Sequence, residues 1–164
     1  MSPFHPIEMS LEGRSTVDYV SLGLRMVKGR AQERDVAIPS VESLQRAAGG
    51  CLSIAEIAAA LGCSCRRAAG LVDAWARARR ILPLPSGSET WLPAYQLDVA
   101  RRRPHPVVAA VLAELHGVFG EAELLLWFAT PNLWLGDRTP AELIAIDARA
   151  VAGASRADRF VACG

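Results

Sequence analysis

The stretch SIAEIAAALGCSCRRAAGLVDAWARARR, residues 53–80, decides the fold that we predict for this chain. Ser53 precedes an apolar run and is followed three residues later by Glu56, which is the spacing of a helix capping box. Gly62 ends this helix, because glycine readily adopts the left-handed backbone of a helix C-terminus. Ser64 is a second N-cap, and a longer helix follows it. Two short helices around a glycine turn predict a helix-turn-helix.

The second of these helices carries a strip of basic residues. The residues that we predict to contact DNA are Ser64, Arg66, Arg67, Arg77, Arg79 and Arg80. The first three lie at the helix N-terminus, the end by which recognition helices enter the major groove. The last three lie at its C-terminal end, where they can meet phosphates or support a hairpin. The alternative is a scaffold whose arginines form a solvated face.

A small β-hairpin is predicted after the helix pair. Residues 81–84 and 90–92 have extended patterns, and the turn-rich stretch 85–88 separates them. Pro83 and Pro85 predict an irregular edge strand, because proline cannot donate a ladder hydrogen bond. We predict that the helix-turn-helix and this wing occupy residues 51–98.

The N-terminal third contains a tail, residues 1–13, and a helical region, residues 14–50. Apolar residues recur there at alternating steps of three and four, namely Val17, Val20, Leu24, Val27 and Ala31. This stripe predicts an amphipathic helix that docks on its own domain or forms a dimer seam. A short helix after Ser40 ends at the glycine pair 49–50.

The arginine- and proline-rich stretch 101–106 is interpreted as the boundary between two halves. Apolar patterns then predict helices from about 107 to 115 and from 121 to 129. A third helix is capped by Thr139 and begins with Pro140. Asp147 caps a last helix that runs from 148 to about 155, and residues 157–164 are predicted to form a tail. The whole is expected to be mainly α, a helix-turn-helix module with a small wing and a small helical C-terminal domain.

The C-terminal half contains a long and unusual string of residues. Residues 126–132, LWFATPN, and residues 135–143, LGDRTPAEL, resemble the toxin-binding domain of Xre/MbcA/ParS antitoxins. The resemblance spans about residues 104–156. The first half is similar to the same group through residues 61–64, LGCS, and residues 92–96, LPAYQ, which resemble its helix-turn-helix and the segment after its hairpin.

This resemblance implies a protein partner. Antitoxins of this kind bind a RES-domain toxin that consumes NAD⁺, cover its active site, and often repress their own operon by binding promoter DNA. The residues that define the implied toxin-binding module here are Trp127, Pro131, Asn132, Leu135, Gly136, Pro140 and Leu143. We interpret Trp127 and Leu143 as core, Gly136 as a turn and Pro140 as a helix start. The surface that touches the toxin is expected from the last helix and tail, at Arg149, Ser155, Arg156 and Arg159.

Composition is that of a globular protein, and the motifs indicate neither catalysis nor a cofactor. About half of the 164 residues are apolar, and the formal net charge is only +1, so DNA binding depends on a local basic strip. Cys63 and Cys65 are spaced C-x-C rather than the C-x-x-C of zinc sites. No nucleophile elbow, phosphate loop or H-E-x-x-H motif occurs. We therefore predict no enzyme activity, no cofactor and no metal.

Residues 1–11 lack the apolar run of a signal peptide, and no run of 18 apolar residues is present. We expect a cytoplasmic protein with free thiols, no membrane partner and a homo-oligomeric state. The alternative to an antitoxin is a stand-alone helix-turn-helix regulator whose C-terminal domain oligomerises or binds another partner.

Overall fold

The computed structural model describes residues 49–164, so the tail and most of the helical region predicted over residues 1–50 lie outside the described residues. The helices are α1 (Ile54–Leu61), α2 (Cys65–Arg77), α3 (Pro106–Leu115), α4 (Glu121–Ala129), α5 (Pro140–Leu143) and α6 (Ala148–Cys163). The strands are β1 (Cys51–Ser53), β2 (Leu84–Ser86), β3 (Glu89–Pro93), β4 (Leu97–Asp98) and β5 (Arg103–Pro104), and 3-10 turns cover Ala94–Gln96 and Leu133–Leu135. This part of the chain is mainly helical with little sheet, as predicted.

The predicted helix signals at Ser53, Gly62 and Ser64 are confirmed. The Ser53 backbone N–H donates to Glu56 Oε2 at 2.7 Å, and the Glu56 backbone N–H donates to Ser53 Oγ at 3.3 Å, which completes the capping box. Gly62 has a φ of 66° and ends α1 in the left-handed conformation. The apolar side chains between these caps then turn inward, and Ile57 and Ala68 are buried where α1 and α2 meet.

A hairpin forms where we predicted one, and a third strand joins it. The prediction of its first strand and turn was wrong: the strand covers Leu84–Ser86 rather than residues 81–84, and Pro85 and Ser86, predicted in the turn, pair with β3. β2 and β3 pair antiparallel with Leu84 opposite Trp91, and Gly87 takes a φ of 60° in the turn. β1 pairs with the other side of β3, which gives the order β1-β3-β2 and leaves the proline-containing strand β2 at an edge. β1 was not predicted, because a three-residue strand is too short to show an alternating pattern.

Gln96 holds the segment between α2 and β2. Its side chain is completely buried, its Oε1 accepts from the Leu82 backbone N–H at 2.7 Å, and its Nε2 donates to the Leu82 carbonyl oxygen at 2.9 Å. Leu82 precedes β2 and so lies outside the ladder that pairs β2 with β3. The Leu82 N–H and carbonyl oxygen are buried and form no ladder hydrogen bonds. The Gln96 amide satisfies both of them instead.

Two hydrophobic clusters form the core. One joins α1 and α2 to Ile81, Leu92 and Leu97. The other is built on the helices after residue 104, and it also takes in Leu82 and Leu84 from the first half. The boundary that we predicted at 101–106 is therefore not a gap in packing. None of the helices in residues 49–164 is long and apolar enough to span a bilayer.

The end of the last helix was predicted wrongly. We expected it near residue 155 with a tail beyond, but α6 continues to Cys163. Residues 156–162 contain alanine and arginine, which are good helix formers, and tertiary contacts of Asp158 and Arg159 hold this part of the helix. Ile146 lies in the turn before α6 and is exposed.

Phe128 offers a test of the second cluster. Its ring is fully buried, with centroids 5.0 Å from Tyr95 and 5.1 Å from Trp127. We expect Phe128→Ala to lower the free energy of unfolding by about 3–5 kcal/mol, because it removes apolar contacts and leaves a cavity. The matched control is Phe160→Ala, at a ring that is 79% exposed, with an expected change within about 0.5 kcal/mol. Equal losses in urea denaturation would contradict this core.

Candidate functional site

The N-terminus of α2 presents a positively charged surface. Ser64 Oγ accepts from the Arg67 backbone N–H at 3.3 Å and so caps the helix. The side chains of Arg66 and Arg67 are exposed in the first turn. The free backbone N–H groups of a helix N-terminus add partial positive charge to the two guanidinium groups. This end of α2 is therefore suited to a phosphate or another anion.

Arg102 extends this surface, and the sequence interpretation missed it. Its guanidinium atoms Nη1, Cζ and Nη2 lie 3.6–3.7 Å from the point that a Cβ on Gly62 would occupy. Arg102 has a left-handed φ of 50°, which turns the chain back toward α1 and α2. The neighbouring Arg101 is instead paired with Asp98 at 3.0 Å, and the hydrogen bond from Arg101 lowers the pKa of Asp98. Gly62 and Arg102 are forty residues apart in the chain, and local sequence patterns do not reveal a contact at that separation.

The other three predicted DNA contacts lie at the opposite end of α2. Arg77 and Arg67 are ten residues apart on this helix, which corresponds to about 15 Å along its axis. Arg77 Nε donates to the Asp73 carbonyl oxygen at 3.3 Å. Arg79 has a left-handed φ of 54°, and its Nη1 contacts His116 Nε2 at the end of α3. Arg80 is exposed. The six predicted residues therefore form two groups rather than one site.

Four residues carried over from the antitoxin resemblance, Trp127, Leu143, Gly136 and Pro140, have the structural roles that we predicted for them. Trp127 and Leu143 are buried, and Pro140 is the buried first residue of α5. Gly136 has a φ of 64°, at the end of the 3-10 turn that contains the buried Leu135. Pro131 is exposed. These positions build the fold of the second half.

Asp158 organises this region and was not identified from the sequence. Its Oδ2 accepts from Trp127 Nε1 at 2.7 Å and from Asn132 Nδ2 at 2.8 Å. Its Oδ1 accepts from Trp134 Nε1 at 2.9 Å. One carboxylate thus joins α4, the 3-10 turn at Leu133–Leu135 and α6. The three donors precede Asp158 by 24 to 31 residues, so no spacing rule relates them to it.

Large apolar side chains remain exposed on two of the elements that Asp158 joins, the 3-10 turn and α6. The exposed fractions are 77% for Leu133, 60% for Trp134, 79% for Phe160 and 42% for Val161. Leu133 and Trp134 belong to the 3-10 turn that packs against α6, and Phe160 and Val161 follow Asp158 on α6. We call these four residues the apolar patch. Leu133 and Trp134 lie on the side of α6 that Asp158 faces, whereas Phe160, two residues further on, faces the outer side of the same helix. Exposed large apolar side chains are typical of protein interaction surfaces.

Of the four predicted toxin contacts, three are exposed and one is not. Arg149 and Arg156 lie on the surface of α6. Arg159 is also exposed and pairs with Glu114 of α3 at 3.0 Å, and this hydrogen bond raises the pKa of Arg159. The prediction for Ser155 is wrong: α6 turns it toward α3, it is 2% exposed, and its Oγ donates to the Ala152 carbonyl oxygen at 3.0 Å.

Residues 49–164 contain no group of three or more histidine, cysteine or acidic side chains placed to hold a metal ion. Cys63 and Cys65 both have free thiols. In comparisons with known proteins, no family model, no curated protein and no solved structure matches the chain. Its candidate sites are therefore assigned from its own residues.

The Asp158 contacts predict a measurable contribution to stability. We expect Asp158→Ala to lower the free energy of unfolding by about 1.5–3 kcal/mol, because it removes charge-assisted hydrogen bonds and leaves indole donors without a partner. Asp73→Ala on the exposed surface of α2 is the control, with an expected change within about 0.5 kcal/mol. If urea denaturation gave the same small change for both variants, Asp158 would not hold these elements together.

Proposed function

We propose that the chain is a DNA-binding adaptor of the antitoxin kind. Its first half binds promoter DNA through the N-terminus of α2, and its second half binds a protein partner through the apolar patch. By the resemblance to Xre/MbcA/ParS antitoxins, that partner is a RES-domain toxin. The observation that carries the DNA-binding half is the group of three exposed arginines, Arg66, Arg67 and Arg102, around the capped end of α2 and the Gly62 turn.

The geometry around α2 supports DNA binding. α1 and α2 meet at a tight turn, and α2 presents polar side chains outward at the end by which a recognition helix enters the major groove. Among the described residues, Arg66, Arg67 and Arg102 form no ion pair. Their charges remain available for phosphates or for base edges, to which arginine donates two parallel hydrogen bonds. The three-stranded sheet beside the helix pair would act as the wing.

The apolar patch supports a protein partner in the second half. Tryptophan, together with other large side chains in a desolvated centre, contributes most of the binding energy of protein interfaces. Asp158 holds the Trp134 indole by its nitrogen, which leaves the ring preorganised and 60% exposed. Arg156, beside Phe160 along α6, supplies charge near the same surface. A rigid aromatic anchor with a polar rim is what a binding module requires.

DNA binding is tested by removing the charge at the N-terminus of α2. We expect the double variant Arg66→Ala, Arg67→Ala to bind the DNA upstream of its own coding sequence at least about tenfold more weakly, and the slope of log affinity against log salt to fall by about two. Fluorescence anisotropy at several salt concentrations measures both. The matched control, Arg149→Ala with Arg156→Ala, removes the same charge from α6. An equal loss in the control would contradict a site on α2.

Partner binding is tested at Phe160, whose ring is outside the hydrogen bonds of Asp158. The product of the adjacent reading frame is co-expressed with the chain, co-purified and assayed for NAD⁺ consumption. We expect the complex to consume no NAD⁺. We also expect Phe160→Ala to weaken binding at least about tenfold, because loss of a large aromatic side chain that becomes buried in an interface often costs about 2 kcal/mol or more. The control is Val99→Ala, an exposed apolar residue of the first half.

The same pair of experiments decides between the two candidate functions. If no neighbouring product binds, while the chain alone shifts its own promoter DNA in a salt-sensitive way, the stand-alone regulator replaces the antitoxin. If a complex forms and tolerates Phe160→Ala as well as it tolerates Val99→Ala, the toxin is bound elsewhere and the apolar patch is not its site.

A further inference from the structure

A cavity of about 470 Å³ lies where the two halves meet. It opens between the C-terminal end of α2 and the corner that joins α3 to α4, and residues 81–83 form one wall. Its volume falls within the range of sites that bind small molecules. Neither the DNA-binding surface at the N-terminus of α2 nor the apolar patch includes any residue of its lining.

The apolar lining of the cavity comes from both hydrophobic clusters. Ile81 belongs to the cluster around α1 and α2, whereas Leu82, Leu112, Phe119 and Leu124 belong to the cluster of the second half. All five side chains are buried. The cavity is partly open to solvent, and an apolar ligand body would replace water against the exposed edges of these side chains at a gain in free energy.

The polar groups of the cavity lining lie on three different parts of the fold. Arg77 is the last residue of α2, His116 follows α3, and Glu121 begins α4. Arg79 also lines the cavity and contacts His116 Nε2. The guanidinium groups of Arg77 and Arg79 carry two positive charges and the Glu121 carboxylate one negative charge, so the site has one excess positive charge. That balance favours a ligand with a single negative charge.

Arg79 is held in a backbone conformation that arginine rarely adopts. Its φ of 54° is left-handed because it follows the C-cap of α2 in a Schellman motif: its backbone N–H donates to the Ala76 carbonyl oxygen at 2.9 Å, and that of Arg80 donates to the Trp75 carbonyl oxygen at 2.8 Å. The Arg79 guanidinium contacts His116 across the junction of the two halves. Arg77 Nε donates to the Asp73 carbonyl oxygen, so the two Nη groups of Arg77 remain available to a ligand.

We propose that this cavity binds a small amphipathic monocarboxylate. The aryl or branched alkyl body of this ligand lies against the apolar lining, and its carboxylate lies between Arg77 and Arg79. Arginine is suited to this role because its planar group donates two parallel hydrogen bonds to a carboxylate. The imidazole of His116 is in reach of the same guanidinium and would share it with the ligand. Such a ligand would touch both α2 and the α3–α4 corner.

The experiment is a methyl NMR titration of the full chain with 4-phenylbutyrate as the probe. We expect the largest shifts at the methyl groups of Leu82, Leu112 and Leu124, with a single dissociation constant. The neutral probe 4-phenylbutanol, which has the same body without the charge, is expected to bind at least about tenfold more weakly, because it loses the charge-assisted hydrogen bonds. Equal binding of the two probes, shifts confined to Leu133, or no shifts would each overturn the proposal.

Variants then test the role of the arginines. We expect Arg77→Gln and Arg79→Gln each to weaken 4-phenylbutyrate binding about tenfold and to leave 4-phenylbutanol binding unchanged. If Arg79→Gln disturbs the backbone at residue 79, Arg77→Gln still tests the proposal, because Arg77 lies in a regular helix. The control is Arg103→Gln, an exposed arginine outside the cavity lining. An equal weakening in Arg103→Gln would show a general charge effect and would overturn the site.

Discussion

The paired hydrogen bonds between the Gln96 amide and the Leu82 backbone hold the segment from which the two hydrophobic clusters diverge. Ile81 points into the cluster of α1 and α2, and the next residue, Leu82, points into the cluster of the second half. This backbone precedes β2 and is buried, so each of its unsatisfied polar groups would cost about 1–3 kcal/mol. A glutamine can satisfy a backbone donor and acceptor together because its amide carries both functions. Without that amide, the buried N–H and carbonyl oxygen of Leu82 would lose these partners.

Because the clusters meet at this segment, the two halves of the described chain are packed as neighbours rather than joined by a free linker. The halves carry different chemistry on their outer faces. The first half presents exposed arginines at the N-terminus of α2, and the second presents the apolar patch around the 3-10 turn and α6. Between them lies the cavity with its one excess positive charge. A molecule bound there would contact elements of both halves.

The carboxylate of Asp158 gives a physical reason for residues that the antitoxin resemblance identifies only as a pattern. Trp127 and Asn132 both direct a side-chain N–H at Asp158 Oδ2, so they position α6 as well as fill space. Trp134 donates to the other oxygen and keeps its ring at the surface. The same interaction thus stabilises the module and prepares an exposed aromatic side chain. Preorganisation of this kind lowers the entropy that a side chain loses when a partner binds.

The sequence by itself determined the features that depend on neighbours in the chain. The Ser53 capping box, the left-handed Gly62 and the β2–β3 hairpin follow from residues a few positions apart, where local hydrogen bonds and backbone preferences decide the structure. Only the tertiary structure decided the role of Asp158, the position of Arg102 over the α1–α2 turn and the continuation of α6 to Cys163. These depend on contacts between residues 24 to 45 positions apart. Composition and periodicity do not reveal such pairs. A polar side chain such as Asp158 has the same local sequence pattern whether it is exposed to solvent or joins three elements.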